Sequence, residues 1–413
     1  MGAPGRPRAA FEEIGAALVL LTSGTSGPPK AAILTRANLI ASARASARLL
    51  GSERGDRWLL CMPLFHIAGL SILVRAALAG ACVVLEPRFD ASRIARLLDE
   101  ERITHASLVA TTLEQLLDAR GERPAPASLR LVLLGGGPAS DALLARALAS
   151  AYPIAPTYGL TEAASQVATR LPRGRASASA SGSVAETASA FATRSGSSDG
   201  VQSDFDLEPD IEPDLDLGGG LVPLPGTRIR IVDAADTPVA AGLEGEIQVR
   251  GPSVMAGYLD DPESTARTLR GGWLATGDFG RLDAAGRLRV LDRRSDLIVS
   301  GGENVYPAEL EGVIASHPEV LEAGVVGVPD ARFGARPLAF VVWRAGAARD
   351  PAALAAWCRA RLAGYKQPVD FVAVEALPRN ASGKLLRRAL AELGGLAGSG
   401  GSDGPDEVRA RRP

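Results

Sequence analysis

The stretch Leu18-Val19-Leu20-Leu21-Thr22-Ser23-Gly24-Thr25-Ser26-Gly27-Pro28-Pro29-Lys30 joins a short apolar run to a loop of hydroxyls and glycines. Glycine lets backbone N–H groups approach an anion closely, and successive N–H groups in such a loop form a concave anion site. Hydroxyl donors and the charge of a lysine strengthen such a site. The stretch therefore predicts a buried strand followed by a phosphate-binding loop, with an ordinary surface turn as the alternative. The predicted phosphate ligands are Thr22, Ser23, Gly24, Thr25, Ser26, Gly27 and Lys30.

Apolar runs alternate with segments of helical spacing from Ala31 to about Ser140. They include a strand predicted at Ala106 to Ala110 and a helix from about Arg36 to Leu50, which Thr35 can cap. This alternation predicts a parallel sheet with helices on both faces. Ligands of such sheets bind beyond the carboxyl ends of the strands. Polar or glycine-rich segments follow several of the predicted strands, so we expect their residues to share one edge of the sheet. They are the phosphate loop, His66, the glycines Gly135, Gly136 and Gly137, and Tyr158.

Composition excludes several classes of partner. The 413 residues carry a formal net charge of −2, which gives no basic surface for a nucleic acid. The three cysteines are scattered without metal or disulfide spacing, which predicts a reducing cytoplasm. The longest apolar window, Ala68 to Leu85, contains Arg75 and Gly80, so we predict no membrane span.

Changes in composition predict five parts of the chain. We expect a large domain at 1–172, a disordered insert at 173–220, a β-rich subdomain at 221–294, a C-terminal domain at 295–395 and a disordered tail at 396–413. The short alternating runs of the β-rich subdomain predict an antiparallel, barrel-like arrangement, and Pro307 predicts the start of a helix in the C-terminal domain. The insert is rich in Ser and Ala and then acidic, so it buries too little apolar surface to offset the entropy of ordering. An acidic partner-binding segment at 203–217 is the alternative.

Five segments in this order resemble the adenylate-forming, or AMP-binding, superfamily, which includes the acyl-CoA synthetases. They are Thr22 to Lys30, Tyr158 to Glu162, Gly272 to Asp278, Asp292 to Asn304, and Pro378 to Lys384. The resemblance implies a mixed α/β fold. Its large N-terminal domain has layered sheets and helices with a β-rich subdomain, and its small C-terminal α+β domain is mobile. The family's phosphate loop lies much further from the amino terminus than Thr22 does, so the N-terminus is expected to be truncated.

The resemblance also implies roles for residues that match the family motifs. In the Tyr158-Gly159-Leu160-Thr161-Glu162 motif, Tyr158 would pack on adenine, Thr161 would bond the α-phosphate and Glu162 would bind Mg²⁺. The turn at Gly135 to Gly137 would lie beside the adenine and the acyl pocket, which would include His66.

Four further matches lie in the second half of the chain. Asp278 and Arg293 would bind the ribose. Lys384 would bridge the carboxylate and the α-phosphate during adenylation, and Ser295 would be the hinge of the mobile domain.

Such an enzyme takes ATP, Mg²⁺, coenzyme A and a small carboxylic acid. Three stretches resemble the branch that acts on 2-succinylbenzoate in menaquinone biosynthesis: Leu134 to Ala139, Thr161 to Val167, and Leu291 to Glu309. Ser165 and Gln166 would then contact the aromatic acid. Another acyl- or aryl-CoA ligase, or a non-catalytic nucleotide-binding relative, are the alternatives, and a homo-oligomer is left open.

Overall fold

The computed structural model describes residues 15–22, 29–137, 139–172, 220–293, 296–301, 303–379 and 385–393. Predictions for Ser23 to Gly27, the insert up to residue 219, Ser295, Lys384 and the tail lie outside the described residues. The side chain of Arg293 also lies outside them, although its backbone is described.

Residues 15–172 form eight strands and five helices among the described residues. The strands are β1 (Ala16–Leu21), β2 (Ala31–Thr35), β3 (Arg57–Leu60), β4 (Cys82–Leu85), β5 (His105–Leu108), β6 (Leu131–Leu134), β7 (Ile154–Leu160) and β8 (Ser165–Thr169). The helices are α1 (Arg36–Leu50), α2 (Ile67–Ala79), α3 (Ala91–Glu100), α4 (Ala110–Arg120) and α5 (Asp141–Ala149).

The remaining described residues are richer in strands. Residues 220–293 form β9 (Val222–Pro223), β10 (Arg228–Val232), β11 (Gly245–Arg250), β12 (Gly257–Tyr258), α6 (Pro262–Thr268), β13 (Leu269–Arg270), β14 (Trp273–Leu282) and β15 (Leu288–Arg293). Residues 296–393 form β16 (Ile298–Ser300), β17 (Glu303–Val305), α7 (Pro307–Ala315), β18 (Val320–Asp330), β19 (Gly334–Trp343), α8 (Pro351–Arg359), β20 (Phe371–Ala373) and α9 (Arg387–Leu393).

A seven-stranded sheet in the order β4-β3-β5-β6-β7-β8-β9 organises the first part of the chain. The five strands β4, β3, β5, β6 and β7 are parallel, which confirms the predicted parallel sheet, while β8 and β9 add antiparallel. Alternate residues of β6 pack on opposite faces: Leu131 and Leu133 face α1 and α2, and Val132 and Leu134 face α3, α4 and α5. Helices therefore cover both faces, as predicted.

The predicted cap of α1 is confirmed and has a tertiary role. The Thr35 hydroxyl accepts from the Asn38 backbone N–H at 3.1 Å, and the Asn38 side chain accepts from the Thr35 N–H at 2.9 Å. The Asn38 amide also donates to the carbonyls of Pro252 and Val254, each at 2.8 Å. This capping box ties α1 to the loop that precedes β12.

One helix differs from the sequence prediction. We predicted a strand from Ala106 to Ala110, but β5 ends at Leu108 and α4 begins at Ala110. The Thr112 hydroxyl accepts from the backbone N–H of Val109 at 3.0 Å and so satisfies a free N–H group at the helix start. Because Thr111 and Thr112 are β-branched, the local sequence resembled a strand more than a helix.

The β-rich part is an antiparallel sheet in the order β10-β11-β14-β13, with β15 also paired to β14. Its strand order is that of an open sheet, whereas the sequence suggested a barrel-like arrangement. Its core is shared with a small sheet of β1, β2 and β12, through residues such as Leu20, Leu34, Ile247 and Leu274. This shared core places the end of β2 beside β14.

The last part is built on the sheet β17-β16-β19-β18, with β20 parallel to β19. Two cores cover it. Helices α7 and α8 pack on Val325, Ala339 and Val341, and α9 packs on Val326 and Phe340. Pro307 opens α7 at its first turn, as the sequence predicts.

Candidate active site

Tyr158 and Asp278 are 120 residues apart in sequence and meet in the fold. The Tyr158 hydroxyl donates to Asp278 Oδ2 at 2.6 Å, and Asp278 is 6% exposed. Asp278 lies on β14 directly opposite Arg293 on β15. Three residues predicted to bind adenine and ribose are therefore brought to one place.

Asp278 ends an irregular segment of β14, Thr276 to Asp278, which we call the Asp278 loop. A carboxylate that the motifs did not single out holds this loop in place. Glu246 Oε1 accepts from the Gly277 N–H at 3.1 Å, and the Thr276 hydroxyl donates to the Ile247 carbonyl at 2.7 Å. Gly277 has φ +72°, a conformation that a side chain would strain. The turn from Thr276 to Asp278 is therefore fixed before any ligand binds.

A cavity of about 460 Å³ lies between this loop and the end of the phosphate loop. A cavity of this volume accommodates a small ligand. The Thr22 N–H donates to the Lys30 carbonyl at 2.7 Å and closes the base of the phosphate loop. The charged and polar residues that line the cavity include Lys30, Glu162, Glu246, Tyr258, Arg267 and Arg270. Lys30 and Glu162, predicted to hold phosphate and Mg²⁺, therefore line the same cavity.

Glu162 lies in a short 3-10 turn, Thr161–Ala163, directly after β7. Its Oε1 accepts from the Tyr258 hydroxyl at 3.0 Å, and its carbonyl accepts from the Met255 N–H at 2.8 Å. Among the described residues no group of three or more potential metal ligands lies together. Mg²⁺ is commonly bound by one or two carboxylates together with substrate phosphates, so a single carboxylate beside Lys30 fits that ion.

The backbone after Glu162 is tightly constrained. Gly159 packs so closely on β8 that a Cβ there would lie 1.8 Å from the Ser165 carbonyl oxygen. Ala164 and Ser165 have positive φ values of 52° and 105°, and a non-glycine residue in such a conformation carries strain. This strained turn sets the positions of both Glu162 and Ser165.

The glycine turn lies at the end of β6, as predicted. A Cβ on Gly135 would lie 3.0 Å from Thr157 Cγ2, and one on Gly136, which has φ +82°, would lie 2.9 Å from Val109 Cγ1. Gly137 has open space around it. Only the first two glycines are therefore required by close packing.

The two residues expected to contact the acid differ in their surroundings. Ser165 is half-buried, and its hydroxyl donates to the Ser71 hydroxyl at 3.2 Å. Gln166 is buried, and its Oε1 accepts from Ser46 at 2.6 Å and from Arg75 at 2.8 Å. Its amide nitrogen donates to the Thr169 hydroxyl at 3.0 Å. Gln166 is thus bonded within the fold, and its contact with the acid stays a prediction.

Arg75 is a buried charge that the motifs did not single out. It is 3% exposed on α2, donates to Gln166 and lies 4.9 Å over the Trp58 ring. Burial lowers the pKa of Arg75 to about 10, so it is charged at neutral pH. Within the described part of the chain its Nε has no hydrogen-bond partner, and no carboxylate pairs with it. The sequence signal was a lone charge inside an apolar helix.

His66 is the N-cap residue of α2, and its ring lies 4.5 Å from that of Phe65. Burial lowers its pKa below the ordinary value of about 6.5, so the imidazole is neutral at pH 7. Its buried Nε2 has no partner among the residues that the structure covers. The residue is therefore able to hydrogen-bond a ligand, and its place in the acyl pocket stays a prediction.

In the described ranges, no helix combines the length and the apolar character that crossing a bilayer requires.

Comparisons with known proteins agree over most of the chain. Residues 6–259 match the AMP-binding enzyme family, and residues 309–384 match the AMP-binding enzyme C-terminal domain. The 2-succinylbenzoate–CoA ligase of Bacillus cereus is 41% identical over 375 residues, which are 91% of this chain and 69% of the relative. That of Geobacillus kaustophilus is 42% identical over 93% of this chain and 70% of the relative.

Solved structures give the same picture. The o-succinylbenzoate CoA synthetase of Bacillus subtilis, in complex with its acyl-adenylate intermediate, superposes with a TM-score of 0.74 at 39% identity. The match covers 90% of this chain and 68% of that one. ATP-bound MatB from Rhodopseudomonas palustris superposes with a TM-score of 0.76 at 28% identity, over 92% of this chain and 68% of that one. The predicted adenylate-forming fold is confirmed, and the chain belongs to the AMP-binding enzyme family.

Proposed function

We propose that the protein is an ATP-dependent acid–CoA ligase that activates 2-succinylbenzoate as an acyl-AMP and then transfers the acyl group to coenzyme A. Its relatives at 41–42% identity carry the name 2-succinylbenzoate–CoA ligase, and a structural neighbour binds ATP and a magnesium ion. Such a reaction belongs to menaquinone biosynthesis, and the free thiols of Cys61, Cys82 and Cys358 suit a reducing cytoplasm.

In the first half-reaction a carboxylate oxygen attacks the α-phosphorus of ATP, and the bond to the β-phosphate breaks as pyrophosphate leaves. Charge grows on the phosphate oxygens, so fixed cations and donors there lower the barrier. We assign Lys30 and the loop before it to the outer phosphates, Thr161 to the α-phosphate, and Lys384 to the bridge between carboxylate and α-phosphate. Glu162 would hold Mg²⁺, which neutralises phosphate charge when bound.

The ribose end would use the pair that the fold assembles. Asp278 is an acceptor suited to ribose hydroxyls, and the hydrogen bond from Tyr158 holds one of its oxygens in place. Tyr158 would pack on adenine, and Arg293, opposite Asp278 on β15, would add a donor toward the ribose.

In the second half-reaction the thiol sulfur of coenzyme A attacks the acyl carbon, a C–S bond forms, and AMP leaves as the C–O bond breaks. We propose that residues from about 295 onward move as a unit to replace Lys384 with the thiol, a rigid-body rearrangement. The Tyr306 hydroxyl donates to Glu244 Oε2 at 2.7 Å, so this hydrogen bond would have to break during the movement.

The observation that carries the choice of acid is the buried, unmatched charge of Arg75. 2-Succinylbenzoate is a dicarboxylate, so one carboxylate stays anionic when the other is activated. A buried cation without a counter-ion is costly, and an anionic ligand group would offset that cost. We propose that the succinyl carboxylate is activated and that the ring carboxylate pairs with Arg75, near Ser165.

The test is acid-dependent release of pyrophosphate with ATP and Mg²⁺. The acids are 2-succinylbenzoate, 4-oxo-4-phenylbutanoate, which lacks the ring carboxylate, benzoate and a medium-chain fatty acid. We expect release with 2-succinylbenzoate, much less with 4-oxo-4-phenylbutanoate, and loss in Lys384→Ala. Release with another acid and none with 2-succinylbenzoate would overturn the substrate. Failure with every acid, from folded protein that binds ATP, would favour a non-catalytic nucleotide-binding protein.

A further inference from the structure

Tyr258 connects two parts of the predicted phosphate site, and no motif assigned it a role. It lies on β12 and is 8% exposed. Its hydroxyl donates to Glu162 Oε1 at 3.0 Å, while the Nζ of Lys30 lies 5.1 Å from the centre of its ring. All three side chains line the same cavity. One aromatic residue thus contacts the predicted metal ligand through its hydroxyl and the predicted phosphate-binding lysine through its ring.

Contacts other than those with Glu162 and Lys30 fix the backbone of Tyr258. Its backbone N–H donates to the Thr265 hydroxyl at 2.8 Å, and that hydroxyl donates in turn to the Asp261 carbonyl at 2.8 Å. Strand β12 pairs with β2, where Tyr258 is opposite Ala32. The preceding Gly257 has φ +145° and would clash through a Cβ with Thr265. The ring position is therefore set by the fold rather than by Glu162 or Lys30.

The phenol can act only as a donor toward Glu162. Burial, followed by the charge of Glu162 and the hydrogen bond to it, raises the pKa of Tyr258 well above its ordinary value. The hydroxyl keeps its proton over the physiological range. It thus occupies one lone-pair region of Glu162 Oε1, and among the described residues no hydrogen-bond partner lies at Oε2.

We propose that Tyr258 is a positioning residue that orients the Glu162 carboxylate for Mg²⁺ bound with ATP and holds Lys30 at the edge of the phosphate site. This inference rests on the proposed function. Hydrogen bonds to a metal-binding carboxylate fix its orientation, and their removal typically lowers metal affinity about 10- to 100-fold. The hydroxyl of Tyr258 would orient the carboxylate that binds Mg²⁺, and its ring would hold the ammonium group of Lys30.

The test measures equilibrium binding of radiolabelled ATP over a series of Mg²⁺ concentrations, together with the melting temperature. Tyr258→Phe removes the hydroxyl and keeps the ring. We expect the Mg²⁺ concentration for half-maximal ATP binding to rise about tenfold, with ATP binding in EDTA unchanged. In a Glu162→Gln background, Tyr258→Phe should add no further change, because the two residues act as one unit.

Tyr152→Phe is the matched control. Tyr152 is 1% exposed, and its hydroxyl has no partner within the described residues, so its loss should leave the Mg²⁺ midpoint unchanged. The inference is overturned if Tyr258→Phe keeps the wild-type midpoint, including the case where only its melting temperature falls. If the wild-type protein itself shows no Mg²⁺-dependent ATP binding and no pyrophosphate release, the proposed function fails instead.

Discussion

Two arginines, the buried Arg75 and the half-buried Arg387, whose side chain is 16% exposed, show how differently one fold treats the same charge. Burial disfavours the charged form of both side chains. For Arg75 nothing opposes this effect, and the pKa falls to about 10. For Arg387 the charge and hydrogen bonds of Glu311, with Asp292 and Asp296, outweigh burial, and the pKa is raised.

The partners explain the contrast. The Arg387 guanidinium pairs with both oxygens of Glu311, donates to Asp296 Oδ2 at 3.0 Å and donates to the Val325 carbonyl at 3.0 Å. This cluster joins α9, α7 and the segment before β16. Among the described residues, Arg75 contacts the Gln166 amide and the Trp58 face and has no carboxylate partner. The fully paired charge of Arg387 belongs to the architecture, whereas we propose that the unpaired charge of Arg75 serves a ligand.

The largest effect is expected from Arg387→Met, which leaves the half-buried carboxylates of Glu311 and Asp296, 12% and 14% exposed, without their cation. Removing one partner of a buried ion pair typically costs about 3–5 kcal/mol, and we expect a loss of that size in the free energy of unfolding. Denaturant unfolding of the whole protein, followed by tryptophan fluorescence and circular dichroism, measures it. The control is Arg388→Met, since Arg388 is 88% exposed and should cost under about 0.5 kcal/mol. If Arg387→Met and Arg388→Met lowered the free energy of unfolding equally, the pairing of Arg387 with Glu311 and Asp296 would not be a structural contribution.

The next effect concerns activity. Arg75→Met should leave stability nearly unchanged, because it removes an unmatched buried charge and keeps the apolar volume. We expect kcat/KM for 2-succinylbenzoate to fall about 100-fold, the scale of losing one partner of a buried charge pair. Turnover of 4-oxo-4-phenylbutanoate should be unaffected. If Arg75→Met strongly lowered the free energy of unfolding, Arg75 would be a structural residue like Arg387. If kcat/KM fell equally for both acids, Arg75 would not recognise the ring carboxylate.

Arg120 is an intermediate case that sharpens the comparison. It is 5% exposed, pairs with the half-exposed Asp99 at 2.9 Å and donates to the carbonyls of Ala95 and Pro124. Its loss leaves two carbonyls and one partly hydrated carboxylate, so Arg120→Met should cost about 1–3 kcal/mol. In denaturant unfolding, the loss of unfolding free energy for Arg120→Met should lie between those for Arg387→Met and Arg75→Met. A different order would show that the burial of the paired carboxylate does not set the loss.

The smallest effect is a pH dependence at His66. The pKa of His66 is lowered by burial, so just below pH 6.5 the unfolded chain binds more protons than the folded one. Stability should therefore rise with pH through the window below the ordinary histidine pKa and become flat above it. Unfolding measured from pH 5 to 7.5 should show a shallower slope for His66→Asn. An unchanged slope would show that His66 does not titrate in this way.

Local pattern predicted much of the fold. Apolar runs gave the parallel strands, Thr35 gave a capped helix, and Pro307 gave a helix start, because these features depend on neighbours in sequence. The pattern failed at α4, which begins at Ala110, where the sequence predicted the end of a strand. Roles assigned to Ser23 to Gly27 and Lys384 stay predictions, since those residues lie outside the described ranges.

By itself, the sequence determined the family, the order of its motifs and the residue types of the phosphate site, since these depend on identity and spacing along the chain. Only the tertiary structure decided which side chains meet. It brought Tyr158 to Asp278 across 120 residues and Tyr258 to Glu162 across 96. Within the described residues it also left Arg75 buried without a carboxylate partner. Burial and pairing are set by elements distant in sequence, so no local pattern distinguishes Arg75 from Arg387.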